Sequence, residues 1–300
     1  MAAACVRSER RHWRLAGRIA CGFVFALAAS ADALAPAWDW KRIELEARKF
    51  MLVASSSVSV TVPSAQEVAG QLVEVPGHAA IPVPPAGVWR IDARSRLPGI
   101  SSHVTVWLAR DTLQVLQRER LDSARGGRYK LTRFIEGGSY EWQRRGVDAP
   151  RGSAPARWPL KRERLHPAER AADCTDSLGL LLLAADLVRT ERVRTLARVC
   201  TDDGALGVAL TRQGEAAYTI AHTRVRAGAR READGETACR HVGIAIESNE
   251  QAVDDFRLLG LAGRLQVCVD TESGAPLRLV GTEPRLGEFR IDATLIESDG

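Results

Sequence analysis

Lysine is nearly absent from this chain: Lys41, Lys49, Lys130 and Lys161 are the only four, so arginine carries almost all the positive charge. Aromatic residues are scarce, at 5% of 300. There is no G-x-S-x-G elbow, no phosphate-cradling glycine loop, no H-E-x-x-H and no dinucleotide fingerprint. Those absences remove the common hydrolase, nucleotide-dependent, metalloprotease and dehydrogenase signatures. No apolar run is long enough to span a bilayer comfortably: the two longest cover residues 19–29 and 178–188.

The first of these runs belongs to an export signal. Arg7, Arg10, Arg11, Arg14 and Arg18 form a basic leader, residues 19–29 the apolar segment, and Ala31 and Ala33 the small residues before a cleavage site. Residues 1–33 are therefore expected to be a signal peptide, cut after Ala33, with a periplasmic mature protein over residues 34–300. An uncleaved anchor is the alternative. Arg18 stands where a lipobox wants an aliphatic residue ahead of Cys21, and Arg10-Arg11 lacks the rest of a twin-arginine motif.

The formal net charge of +5 conceals a division. Residues 86–170 hold 18 basic and 9 acidic residues, whereas residues 171–300 hold 15 and 21. A basic half suits the phosphates of lipopolysaccharide or nucleic acid. The simpler expectation is that these arginines occupy solvated outward positions of strands.

What is abundant is alternation. In residues 237–296, Val242, Ile244 and Ile246, then Leu265, Val267 and Val269, then Leu277 and Leu279, then Phe289, Ile291, Ala293 and Leu295 recur every second residue, with turn clusters such as Thr271-Glu272-Ser273-Gly274 between them. That is the signature of half-buried antiparallel strands. Similar runs precede it. Ile43, Leu45, Ala47, Met51 and Val53 hold one phase and Val58, Val60 and Val62 the other, which predicts a break at Ser55-Ser56-Ser57. Residues 63–87, with Pro76, Pro82, Pro84 and Pro85, read as a long loop. Strands are predicted around Trp89, Val106, residues 113–121, 129–135, 139–144, 192–199, 206–210 and 216–225. Residues 146–159 read as a surface loop within one domain, the alternative being a split into two subdomains there.

The second apolar run differs. Thr175, Asp176 and Ser177 are capping residues, and residues 178–188 are apolar nearly all round and rich in leucine and alanine. This predicts one short buried helix carrying Leu178, Leu181, Leu182 and Leu187. The fold class expected is mainly β: a large curved antiparallel sheet, half-barrel or sandwich-like, around that helix.

After export, four cysteines remain: Cys174, Cys200, Cys239 and Cys268. Their spacing does not suit zinc, and an even number in an oxidising compartment favours disulfides. Pairing Cys239 with Cys268 across a hairpin, with Gly243 opposite Arg264 and Glu247 opposite Gly260, puts both on the side away from the aliphatic face. Cys174–Cys200 follows by elimination.

No catalytic constellation emerges. Ser102 and His103 are strand neighbours and point to opposite faces. His222 and His241 read as half-exposed strand histidines. Asp202-Asp203 and Asp254-Asp255 lack the alternating oxygens of a calcium loop. The tryptophans of the first half read as core and sheet-edge residues. No cofactor, metal or nucleic acid is expected.

Phe256-Arg257-Leu258-Leu259-Gly260-Leu261, Val267-Cys268-Val269-Asp270, Gly274-Ala275-Pro276-Leu277-Arg278-Leu279 and Gly281 resemble uncharacterised exported proteobacterial β-rich proteins of a domain-of-unknown-function family. The resemblance implies a curved antiparallel sheet around a short helix and an envelope location. It implies no activity and assigns no cysteine pairs. Two functions stand side by side: a non-enzymatic envelope binding or assembly-support protein, whose concave face takes an apolar ligand or a partner protein, and a hydrolase of envelope polymers.

Overall fold

The computed structural model describes residues 38–49, 51–150, 152–167, 173–201, 204–247, 256–283 and 286–298. The expected signal segment, Asp202-Asp203 and Asp254-Asp255 lie outside them.

Hairpins dominate, because alternating runs separated by short turns pair locally first. The first wing is a meander: β1 (Trp40–Lys49), β2 (Leu52–Thr61), β3 (Val88–Leu97), β4 (Ile100–Ala109), β5 (Val115–Asp122), β6 (Arg128–Ile135), β7 (Gly138–Arg145) and β8 (Leu160–Pro167). The chain then crosses through a helix and returns by β9 (Arg194–Cys200), β10 (Ala205–Thr219), β13 (Glu236–Ile246), β14 (Ala262–Asp270), β15 (Pro276–Glu283) and β16 (Gly287–Ser298). β16 pairs with β1, so the strand order is β8-β7-β6-β5-β4-β3-β2-β1-β16-β15-β14-β13-β10-β9, an open antiparallel sheet. A short hairpin, β11 (His222–Arg226) and β12 (Ala229–Ala233), sits off this path, with β11 parallel to the end of β16. The loop 146–159 joins β7 and β8, which pair with each other.

Of the two α-helices described, α2 (Gly179–Arg189) is the buried one. Asp176 starts it, its carboxylate accepting from the Leu178 amide at 2.8 Å. A side chain on Gly179 would overlap the Thr175 hydroxyl, so glycine is what lets the helix begin this close to the preceding segment. Leu178, Leu181, Leu182 and Leu187 are all buried, as are Leu180, Ala184 and Ala185. They form one core with Ile43, Leu45, Val58, Val60, Ile91, Val106, Leu108, Val242, Ile244, Val267, Leu279 and Ile291, which are inward residues of both wings. The sheet therefore curls around α2. No described helix is long and apolar enough to cross a membrane.

Both disulfides are present, Cys174–Cys200 with Cα atoms 5.4 Å apart and Cys239–Cys268 with Cα atoms 5.6 Å apart. Their hairpin register differs from the expected one. His241 lies opposite Cys268, Cys239 opposite Asp270, and Gly243 opposite Gln266, so the second disulfide is diagonal. The two-residue shift places Ile244 opposite Leu265 instead of Gly263, giving a better apolar pair on the core face. A shift of two preserves facing, which is why the pairing is unaffected.

Three further local expectations are corrected. Ser55-Ser56-Ser57 lies inside β2; the chain turns between Lys49 and Leu52 instead, and that reversal resets the phase. Met51 and Val53 are accordingly exposed. Residues 63–87 contain a second helix, α1 (Ala65–Gln71), started by a Ser64/Glu67 capping box. His222 is buried, its Nδ1 2.8 Å from the Ile220 carbonyl oxygen.

Candidate functional site

The outer half of the first wing, β5–β8 (the basic wing), uses its faces differently from the rest of the sheet. On β1–β4, β10 and β13–β16 the inward face is apolar and packs on α2. On β5–β8 the polarity reverses. Val106 lies opposite Arg118, and Val104 opposite Arg120, so these arginines continue the inward face. Following the ladder, Arg118, Thr132, Glu141 and Arg164 form one cross-strand row. Arg120, Lys130, Gln143 and Arg162 form the next. Asp122, Arg128 and Arg145 form a third. These arginines are therefore not the outward residues that alternation suggested.

The cause lies on the other side of the sheet. The outer face of β5 and β6, with the neighbouring part of β3 and β4, is covered by α1 and the loop after it. Val68 of α1 packs with Val88, Trp107 and Leu116 in a second small core. Gln117 and Arg133 clamp the loop to that face. The Gln117 amide accepts from the Val73 amide at 2.8 Å and donates to the Gln71 carbonyl at 3.0 Å. Arg133 donates to the carbonyls of Val73, Ile81 and Leu116. Burial pushes its guanidinium down to about 10. With the outer face of β5 and β6 dry, the inner face of those strands is left to carry the charge.

Inside the wing lies a cavity of about 350 Å³. Arg118, Arg120, Arg128, Lys130 and Arg257 supply its cations and Asp122 and Glu141 its carboxylates; Phe134, Val199 and Phe256 form an apolar flank. The far wall is the segment around the Cys174–Cys200 disulfide. There the Cys174 carbonyl accepts from the Val115 amide at 2.9 Å, and Asp176 meets Arg118 at 3.3 Å. One disulfide-bonded segment thus joins the start of α2, the edge strand β9 and the basic wing.

Three cations of the cavity are matched: Arg118 by Asp176, Arg120 by Asp122 at 2.9 Å and Lys130 by Glu141 at 2.6 Å. Burial pushes the Glu141 carboxyl up, but Lys130, the Gln143 amide and His166 outweigh it and hold the group below the usual carboxylate range. A depressed folded value means stability that is present above the unfolded value and lost as pH falls through the folded one. Lys130→Met is expected to cost about 2 kcal/mol at pH 7, less than for a fully enclosed pair because the cavity admits water. The loss should shrink towards pH 4, where Glu141 can protonate. Urea unfolding at the two pH values checks both parts.

The other expected positions lie elsewhere. Ser102 donates to Asp122 at 2.7 Å, whereas His103 meets Asp92 at 3.1 Å on the opposite face. His241 meets the Tyr218 hydroxyl at 2.9 Å on the outer face of the second wing, near Cys239–Cys268. Burial first, and Arg278 second, hold its imidazole below its ordinary value. Arg278 is closed off by Asp292, at 2.5 Å, and by the ring of Tyr218. The other ring nitrogen of His241, Nδ1, is buried without a hydrogen-bond partner among the described residues, and Arg278 and Asp292 also line a cavity of about 680 Å³ with Lys49 and Arg290.

The basic wing was missed because Tyr129 and Leu131 look like the core-facing set of β6. A signal available in the sequence is the run from Val106 to Ala109, apolar at neighbouring positions and hence suited to burial on both faces. Fold and site together define an open, disulfide-tied antiparallel sheet with a helix-filled apolar half and a solvent-open basic half. The chain matches no family model, no curated protein and no solved structure in the comparisons made.

Proposed function

We propose that this is an exported, non-enzymatic binding protein of the cell envelope that takes its ligand on the inner face of β5–β8. The carrying observation is that α2 covers the apolar part of the concave face, leaving the wing and its cavity as the accessible inner surface. On the inner face of β5–β8 the apolar surface offered to a ligand is the flank of Phe134, Val199 and Phe256. Two disulfides are compatible with a periplasmic or extracellular location. The likeness to exported proteobacterial proteins belongs to the same proposal.

Hydrolysis is the weaker reading. Asp122 pairs beside Arg128 and Glu141 beside Thr132, two strands and four residues apart. Ladder spacings put their Cα atoms roughly 16 Å apart, wide for paired glycosidase acids, whose carboxyl groups lie about 5–10 Å from each other. Each already faces a cation.

The mature protein is expected in periplasmic extracts, beginning near Leu34; a soluble form retaining Met1 would sink the export part. Native mass spectrometry after incubation with a total envelope extract should show a stoichiometric adduct. Turnover of an envelope polymer by the purified protein would favour the hydrolase instead.

A further inference from the structure

Resting on that reading, we infer that the inner face of β5–β8 binds the phosphorylated head of an amphipathic lipid. The phosphates lie across Arg120, Arg128, Lys130 and Arg162, and the apolar portion lies towards Phe134 and Phe256.

The argument begins from the ladder. Arg120 is directly opposite Lys130, and Arg128 directly opposite Arg145, each pair on one face. Like charges directly opposite destabilise a sheet. Seven cations occupy the three inner rows against Asp122 and Glu141. Arg128 faces Asp122 and Arg164 faces Glu141 across the ladder, but those carboxylates pair with Arg120 and Lys130, and Arg128, Arg145, Arg162 and Arg164 make no ion pair among the described residues, which leaves the rows with excess positive charge. The outer face of the same strands carries no such excess: Glu119, Leu131, Trp142 and Glu163 form one of its rows.

The spacing suits phosphate. Neighbouring inner positions are about 5 Å apart across strands and about 7 Å apart along them, so two guanidinium groups can hold one phosphate. The planar donor fork of arginine favours that contact. The apolar flank selects an amphipathic ligand. Phe134 continues the Arg128, Lys130, Thr132 alternation of β6, and Phe256 and Val199 line the same cavity. A nucleic acid is disfavoured because Phe134 is the lone aromatic among the inner positions of β5–β8. Tyr129, Tyr140 and Trp142 lie on the outer face, so there is no inner row of rings on which bases stack.

The test is co-sedimentation of the full mature protein with phosphatidylglycerol or phosphatidylcholine vesicles, at low and high salt, with inorganic pyrophosphate as competitor. Arg128→Glu/Arg162→Glu reverses two exposed positions of the wing. Arg230→Glu/Arg231→Glu makes the same charge change on β12, away from it. Circular dichroism confirms that both variants fold.

Wild type should bind the anionic vesicles and not the zwitterionic ones, with binding lost at high salt and displaced by pyrophosphate. The wing variant should bind at least about tenfold more weakly and the β12 variant nearly normally. Equal loss in both variants would overturn the site, leaving net charge as the cause. Pyrophosphate binding without vesicle binding would overturn the lipid and leave a soluble phosphate ester as ligand. Tighter binding of a single-stranded oligonucleotide than of vesicles would replace the lipid by nucleic acid. A phosphorus-free adduct from the envelope extract, with no vesicle binding, would defeat this inference while the binding-protein reading stood.

Discussion

Leu181→Asp and Leu182→Asp are each expected to abolish cooperative folding. Leu181 is 1% exposed and Leu182 is 0% exposed, in the core shared by both wings. A carboxylate placed there must either ionise without a partner or enter as a neutral acid without hydrogen bonds. Added to the lost leucine packing, either cost is about 5 kcal/mol or more, comparable with the whole stability of an ordinary domain. Leu183→Asp is the internal control. Leu183 is only half-buried and borders a groove with Leu113, Leu196 and Ala197, so its carboxylate can reach water. Far-UV circular dichroism and urea unfolding should find the first two variants unfolded or aggregated and the third folded. Wild-type midpoints for Leu181→Asp and Leu182→Asp would mean that α2 does not fill the concavity, and the uncovered apolar face would become the binding surface.

Removing the disulfides should have the next largest effect. Cys174–Cys200 closes 26 residues and Cys239–Cys268 closes 29. Each is worth about 3.5 kcal/mol in the chain-entropy account. The loops do not overlap, so their losses should be close to additive. Cys→Ala pairs avoid leaving a buried thiol. Removing Cys239–Cys268 should lower stability with little effect on the wing. Removing Cys174–Cys200 should also loosen the cavity, since Cys200 lines it and Cys174 holds β5 through the Val115 amide. Urea midpoints of the oxidised protein and of each Cys→Ala pair check the sizes. If neither pair of substitutions moves the midpoint, the crosslinks do not stabilise the fold.

The parts of this fold legible in the sequence were those governed by short-range chemistry. Alternation marked β13 to β16, and leucine and alanine marked α2. Facing, which survives a two-residue slip, was enough to pair Cys239 with Cys268. What escaped depended on partners distant in the chain. The register of β13 on β14 follows from Ile244 meeting Leu265, a choice that periodicity alone leaves open. The capping box of α1 was readable in Ser64 and Glu67, but Pro76 to Pro85 drew attention to the loop around it. The basic wing escaped because facing is a property of the sheet. Only after α1 and Arg133 are seen to dry the outer side of β5 and β6 do Arg120 and Lys130 have to point inward.

The pairing of β1 with β16 bears on how the chain acquires its structure. Each wing can grow by successive hairpins, yet Ile43 meets Ile296, so the two wings are sewn together only when both ends of the described chain are available. Such a distant contact carries a large loop-closure cost and slows the final step. A nascent chain would hold two unfinished half-sheets with the faces meant for α2 still wet. Chaperone dependence and aggregation should therefore concentrate in that interval, and C-terminal truncations that remove β16 should be far more damaging than their length suggests.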